Sequence, residues 1–209
     1  MILDIHTHHP QPYPQGVINV TVEDFSPVEG QLYSVGIHPW DTSEAVAEER
    51  LSLLEKLAAQ PQIVAIGECG VDLLKGGPMF RQLQLLKRHI EISEEVKKPV
   101  ILHVVKSSDI IMGLKRDLQP EQQWIIHGFR GKPQLAEALL SAGIHLSFGP
   151  RYNIDTVKSM ASGRILAETD DSPMSIDEVI ASLSEAAGRD LLPEIKDATA
   201  RVLRLTPKS

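Results

Sequence analysis

The sequence predicts an α/β protein folded as a short TIM-type (β/α)8 barrel. Eight short runs rich in Val and Ile recur along 209 residues, and longer helical patterns separate most of them. Runs such as Ile63-Val64-Ala65-Ile66 are apolar throughout, which suits strands buried on both faces of a parallel sheet. Metal-type ligands cluster where these runs end, and the working face of a barrel lies at the C-terminal ends of its strands. Strand–helix alternation implies parallel strands joined by crossover helices, and eight in series suggest closure. An open doubly wound sheet is the alternative. The expectation is one domain over residues 1–209.

Strands are expected at 2–8, 17–21, 32–37, 63–68, 100–105, 124–128, 143–149 and 164–170. Only residues 9–16 join the first two strands, and only 22–31 join the next two. Neither linker holds a full helix, so the first two outer helices should be reduced or missing. A helix over 43–59 begins beside the cap candidates Thr42 and Ser43 and carries Leu51, Leu54 and Leu57 on one face. A second, over 79–97, carries Phe80, Leu83, Leu86 and Ile90, and Pro99 ends it. Shorter helices fit 107–118, 133–142 and 154–161. A final pair fits 175–187 and 193–204, punctuated by Gly188 and Pro193.

Net charge is −7, from 21 Lys+Arg against 28 Asp+Glu. That argues against a non-specific nucleic-acid coat protein but not against a nuclease, because bound divalent cations reverse the charge locally. The single cysteine, Cys69, rules out a disulfide framework and fits a reducing compartment. No apolar run reaches the roughly 20 residues of a membrane span. The start, Met1-Ile2-Leu3-Asp4-Ile5-His6, lacks a basic leader pattern, so a cytoplasmic location is expected, with no membrane and no obligate protein partner.

Five expected strands end in a metal-type ligand: His6 and His8, Glu68, His103, His127 and Asp170, with His38 just past the third strand. In His6-Thr7-His8 the strand period of two puts both imidazoles on one face. Glu68 can bridge two ions through its two oxygens, His103 and His127 can complete a second site, and Asp170 returns beside the first strand on closure. Mixed imidazole and carboxylate ligands suit Zn²⁺, Mn²⁺ or Fe²⁺ better than Ca²⁺. Two ions about 3.5–4 Å apart would activate water and clamp an oxyanion.

The segments Asp4-Ile5-His6-Thr7-His8, Val35-Gly36-Ile37-His38-Pro39, Ala65-Ile66-Gly67-Glu68-Cys69-Gly70-Val71-Asp72, Pro99-Val100-Ile101-Leu102-His103, His127-Gly128-Phe129-Arg130-Gly131, Ser147-Phe148-Gly149 and Leu166-Ala167-Glu168-Thr169-Asp170 are collinear with a family pattern. The sequence resembles the TatD-type metal-dependent hydrolases within the amidohydrolase-like barrels. The resemblance implies a barrel, two divalent ions (Zn, Mn or Mg), and phosphodiester hydrolysis of a DNase or exonuclease kind. It also implies ligand roles for His6, His8, Glu68, His103, His127 and Asp170. The chain departs from the family at the rim. Leu73 and Leu74 replace an aromatic pair, Trp40 replaces a histidine, and Val105 followed by Lys106 replaces an arginine. Arg130 stands where the family has a serine-containing turn, and no asparagine matches around Thr199–Arg201.

Asp170, Glu68 and His38 are the catalytic candidates. Arg130, Lys106 and His38 are the substrate-binding candidates, with Arg151 a further cation. Glu168 shares a strand face with Asp170 and can orient a ligand histidine, or serve only as a buried hydrogen-bonded carboxylate. His9 is expected at the rim, His89 on the surface, His145 pointing away from the site, and Cys69 as a core thiol. With only two Trp, three Tyr and four Phe, an extended stacking platform is not expected, which favours a short DNA end or a small phosphoester as substrate. The alternative is a small-molecule amidohydrolase, lactonase or phosphoesterase using the same metals. A binding protein with a vestigial site is disfavoured by the complete ligand set.

Overall fold

The computed structural model describes residues 2–10, 15–42 and 47–205. Its eight strands are β1 (Asp4–Thr7), β2 (Gly16–Thr21), β3 (Leu32–Gly36), β4 (Ile63–Asp72), β5 (Val100–Val105), β6 (Trp124–Ile126), β7 (Ile144–Phe148) and β8 (Ile165–Ala167). All pair in parallel in chain order, and β8 returns to β1, so the barrel closes. The open-sheet alternative is thereby excluded.

The described helices are α1 (Ala47–Ala58), α2 (Met79–Val96), α3 (Ser108–Leu118), α4 (Pro133–Ser141), α5 (Ile154–Ser159), α6 (Ile176–Ala187) and α7 (Leu192–Val202), with a 3₁₀ turn at Pro39–Asp41. No helix lies in residues 22–31. There Val22 is buried, Phe25 packs edge-on against Tyr33 with ring centroids 5.4 Å apart, and Tyr33 Oη accepts from the Val28 amide. These side chains cover β2 and β3 where an outer helix would otherwise lie. The described part of the β1–β2 connection is also without a helix. The cap candidate Ser43 lies outside the described residues. Thr42 Oγ1 instead donates to the Pro39 carbonyl, closing the 3₁₀ turn.

Inside the barrel, Ile5, Val17, Ala65, Ile101, Ile125 and Leu166 form one apolar cluster, closed below by Ala198 and Val202 of α7. Each fully buried aliphatic side chain of this kind contributes about 1.5–3 kcal/mol. A second cluster fills the space between the strands and α2 to α6, and a third lies under α1 and α2. No helix among the described residues is long and apolar enough to cross a membrane.

Two expectations about α2 fail. Phe80 is mostly exposed, because the buried face is instead Gln82, Leu85, Leu86, His89, Ile90, Ile92 and Ser93. His89, expected on the surface, has 0% exposure. Its Nε2 accepts from the Ile37 amide at 2.9 Å and its Nδ1 donates to the Leu85 carbonyl at 2.7 Å. Both ring nitrogens are therefore used in the neutral form, and His89 ties α2 to the segment leading into His38. A polar residue with two buried backbone partners is indistinguishable by spacing from a solvated one.

Burial, aided by the charge of Arg50, pushes the His89 pKa down from 6.5 to about 4. The unfolded chain therefore takes up a proton near pH 6.5 that the folded chain refuses until about pH 4. The stability His89 confers is complete above pH 6.5 and is lost as pH falls through that window. Denaturant unfolding of the native chain and of His89→Gln should show the native advantage shrinking by roughly 3 kcal/mol between pH 6.5 and 4. A pH-independent difference would contradict the assignment.

Candidate metal centre

The site forms at the C-terminal mouth of the barrel, and Glu68 is its hub. Glu68 is not at the end of its strand, as the sequence pattern implies, because β4 runs on to Asp72. Ala65 faces the barrel interior, so strict alternation would turn Glu68 outward. The ladder between β4 and β5 shifts register between Ile66 and Cys69, and this extra residue swings Glu68 into the mouth. His6 follows the same logic. Ile5 faces inward, and the β1–β2 ladder shifts between Asp4 and Thr7, which brings His6 to the site. His103 and His127 need no such device, since they stand two residues beyond the inward Ile101 and Ile125. At Gly70 (φ 149°) an added Cβ would lie 2.0 Å from the His103 carbonyl, so glycine permits β4 and β5 to approach here.

Asp170 lies beyond β8 with φ 54°, a left-handed conformation that Asp tolerates better than most residues. Two backbone hydrogen bonds hold it to β1: its amide donates to His6 O and its carbonyl accepts from the His8 amide, each at 3.0 Å. Buried Asp4 reinforces this seam by accepting from the Thr169 amide and hydroxyl. Burial, the largest influence, raises the Asp4 pKa to about 7.

The two oxygens of Glu68 face different partners. Oε2 lies 3.4 Å from His6 Nε2 and 3.6 Å from His8 Nε2, and both imidazoles are also 3.6 Å from Asp170 Oδ1. Oε1 lies 2.7 Å from His103 Nδ1, 2.7 Å from His127 Nε2 and 3.1 Å from His38 Nε2. His103 Nδ1 and His127 Nε2 are 3.2 Å apart. Donor atoms within 4.8 Å of one another fall into the groups His6/His8/Glu68, His6/His127/Asp170 and His38/Glu68/His103.

Burial alone would raise the Glu68 carboxyl. His127, His103 and His38 overcome it, and the group is held well below the usual carboxylate range. Burial and the nearby His127 disfavour a charged His6, yet Asp170 and Glu68 prevail and raise its pKa to about 9. Burial opposes protonation of His127 as well, and Glu68 and Glu168 override it. Asp170 is lowered despite its partial burial, by His6 and His127.

Two carboxylates stand behind the histidines on the Oε1 side. Asp72 Oδ2 is 3.3 Å from His103 Nε2, and Glu168 Oε1 is 3.6 Å from His127 Nδ1. Glu168 lies beside His127 but makes no hydrogen bond to it, and Asp72 was given no role in the sequence reading. Asp72 accepts from the Trp40 indole at 2.7 Å and from the amides of Leu74 and Lys75 at 2.8 and 2.9 Å. Burial works against its ionisation, but these donors bring its pKa down to about 2. The motif that contains Glu68 ends on Asp72, which was the available signal, but a strand expected to end at 68 left Asp72 outside the site.

The expected cations lie outside this cluster. Arg130 and Arg151 line a cavity of about 370 Å³ beside Glu168, Thr169 and Asp170, with Arg151 paired to Asp171 at 3.3 Å. Lys106 is exposed just after β5 and does not line it. His9 is exposed at the rim. His145 bonds Gln123 near the N-terminal end of the barrel, away from the site, and Cys69 is buried in the outer core.

A profile for TatD-related DNases matches residues 22–200. The chain belongs to the TatD-related DNase family. Relatives include the uncharacterized metal-dependent hydrolase YabD of Bacillus subtilis, 30% identical over 146 residues, covering 66% of this chain and 57% of that protein. Another is the 3'-5' ssDNA/RNA exonuclease TatD of Erwinia billingiae, 29% identical over 147 residues, covering 66% of this chain and 56% of that protein. The match thus spans less than two thirds of these relatives' length. The crystal structure of the TatD homolog YjjV from Escherichia coli superposes with TM-score 0.81 over 98% of both chains at 21% identity, which establishes a shared fold.

The donor set fits the divalent ions that a metal-dependent hydrolase carries. Both ring nitrogens of His6, Nδ1 of His127 and both oxygens of Glu168 are buried without a hydrogen-bond partner. Left unsatisfied, His6 Nε2 costs about 1–3 kcal/mol, a deficit that a cation held there beside Glu68 and Asp170 would relieve. Carboxylates behind ligand histidines fix ring orientation and raise basicity. Asp72→Asn should therefore weaken Zn²⁺ or Mn²⁺ binding by about 10- to 100-fold while the far-UV CD spectrum is kept. Unchanged affinity in a chelator competition assay would remove Asp72 from this role.

Proposed function

We propose that this chain is a hydrolase that cuts phosphodiesters with water activated by two divalent ions, acting as one barrel on a short DNA end or a small phosphoester. The division of partners between the two Glu68 oxygens carries this reading. His6, His8 and Asp170 with Oε2 would hold one ion, and His103 and His127 with Oε1 the other. Imidazole with carboxylate favours Zn²⁺ or Mn²⁺, with Mg²⁺ a weaker fit. When bound, such a pair lowers the pKa of a water toward roughly 7 and offsets the charge that builds on the phosphate. The exonuclease name of the Erwinia relative supports the same chemistry.

The chain's own groups supply the rest. Asp170 is ionised and partly exposed at the edge of the cluster, so it can take the proton of the attacking water. His38 Nδ1 accepts from the Trp40 amide at 3.2 Å, which leaves the proton of the neutral ring on Nε2. His38 therefore presents a donor to the site, suited to a phosphate oxygen or a leaving group, more than a metal ligand. Arg130, in its cavity beside Asp170, would hold a flanking phosphate. Glu168 keeps His127 oriented. Lys106 remains a weaker substrate contact, since it stands outside the cavity.

Elemental analysis after reconstitution should approach two divalent ions per chain, and Glu68→Gln should lose both without losing the helical CD signal. Asp170→Asn should keep the fold and lose about 10²- to 10⁴-fold in turnover on bis-p-nitrophenyl phosphate or single-stranded DNA. With about two phosphates neutralised, the log–log salt slope of binding should be near −2. Efficient cutting of closed circular duplex with a steep slope would overturn the short-substrate reading. Hydrolysis of amides or lactones without phosphodiester cleavage would replace it with the small-molecule alternative.

A further inference from the structure

Trp40 occupies an unusual position for a surface aromatic. It lies in the 3₁₀ turn that follows His38, and half of it (51%) is exposed. Its indole N–H is nonetheless pinned to the buried carboxylate of Asp72 at 2.7 Å, and its backbone amide donates to His38 Nδ1. The ring centroid is 4.7 Å from that of His38 and 5.8 Å from that of His103, the two imidazoles that flank Glu68 Oε1. Lys75 Nζ sits 4.9 Å from the ring centroid, a positive charge over one face.

A freely rotating surface indole would lose side-chain entropy on stacking. This one has already lost it to the Asp72 bond, so a planar partner meets a fixed ring. A buried anchor and a half-exposed side chain together describe a platform beside the reactive centre. The neighbouring ammonium has the sign that a phosphate attached to a planar ring would require.

We propose that Trp40 is a stacking platform for a nucleobase of the substrate, with Lys75 holding the phosphate next to that base. The proposal rests on the phosphodiester reading of the same site and narrows its substrate class to nucleotides, over alkyl or sugar phosphates. One fixed ring accommodates one base, in keeping with a short strand end. Stacking on an aromatic is tolerant of base identity, so the platform selects for a base without selecting which.

The chain has two tryptophans, and the other, Trp124, has 0% exposure, so a ligand that changes tryptophan emission by stacking reports on Trp40. The intact Zn²⁺-loaded chain should be titrated with AMP and with ribose 5-phosphate, following emission and, separately, affinity by equilibrium dialysis. AMP should quench emission and bind more tightly than ribose 5-phosphate. With Zn²⁺ kept in saturating excess and its occupancy checked, Trp40→Ala should weaken AMP by about 5- to 100-fold and leave ribose 5-phosphate unchanged. Trp40→Phe, which keeps a ring but loses the bond to Asp72, should retain part of the AMP preference. Equal affinity for the two ligands, an AMP titration without quenching, or a Trp40→Ala loss shared by both ligands would each overturn the platform. No step of this test requires turnover. Absence of phosphodiester hydrolysis with AMP quenching intact would sink the reaction class and leave the platform standing.

Discussion

An ionised carboxylate buried in the mouth of an apolar barrel is the constraint on which the site depends. Removing such a charge from water costs several kcal/mol unless partners compensate. Glu68 is 5% exposed and still ionised, so the surrounding chain must compensate it from several directions. The side chains that face its oxygens come from four places: β1 and its end, the segment after β3, β5 and the end of β6. Asn19 of β2 holds the backbone instead, its Oδ1 accepting from the Glu68 amide at 2.8 Å and from Ser34 Oγ at 3.1 Å. The barrel therefore holds Glu68 through both its side chain and its backbone, and a change in any one strand position is felt at the hub.

The histidines that compensate Glu68 carry their own obligations. An imidazole has two nitrogens, and one turned toward Glu68 leaves the other to be satisfied. Asp72 takes that task for His103, and Trp40 in turn anchors Asp72, while the Glu168 carboxylate stands 3.6 Å from His127 Nδ1 and offers charge rather than a hydrogen bond. Carboxylate, imidazole, carboxylate and indole thus form a chain from the centre to the rim. The cluster sets its carboxylates against imidazoles that hold their protons at His6 and His127. On the proposed reading, divalent cations held by these donors would supply the positive charge that a phosphate requires.

Much of this was legible in the sequence because barrel geometry converts strand order into spatial order. The eight strands and the helices between them follow from apolar periodicity, and closure brings Asp170 to His6 without further information. The missing outer helices follow from linkers too short to hold them. What pattern reading could not supply are the two register shifts. His6 and Glu68 reach the site because one extra residue in each strand reverses their facing, and bulges carry no signature in a period-two pattern. The same limit hid Asp72, which lies on a strand that continues past the point where ligand spacing seemed to end it. His89 was misread for a different reason. Its two partners are backbone groups, which leave no trace in side-chain composition.

The rim divides into two unlike flanks across Glu68. On the β3 and β4 side stand an anchored indole and Lys75, with His38 presenting a donor inward. On the β6 to β8 side stands a cavity lined by Arg130 and Arg151, with Asp170 at its edge. A ligand lying across the carboxylate would meet an aromatic surface at one end and cations at the other. Nucleotide units alternate in this way, with a planar base on one side of each phosphate and another phosphate beyond. The departures from the family pattern at Trp40 and Arg130 fall one on each flank. The carboxylate and imidazoles at the centre match the motif positions quoted from the sequence while both flanks depart from them, so on the proposed reading the departures bear on which phosphoester is held.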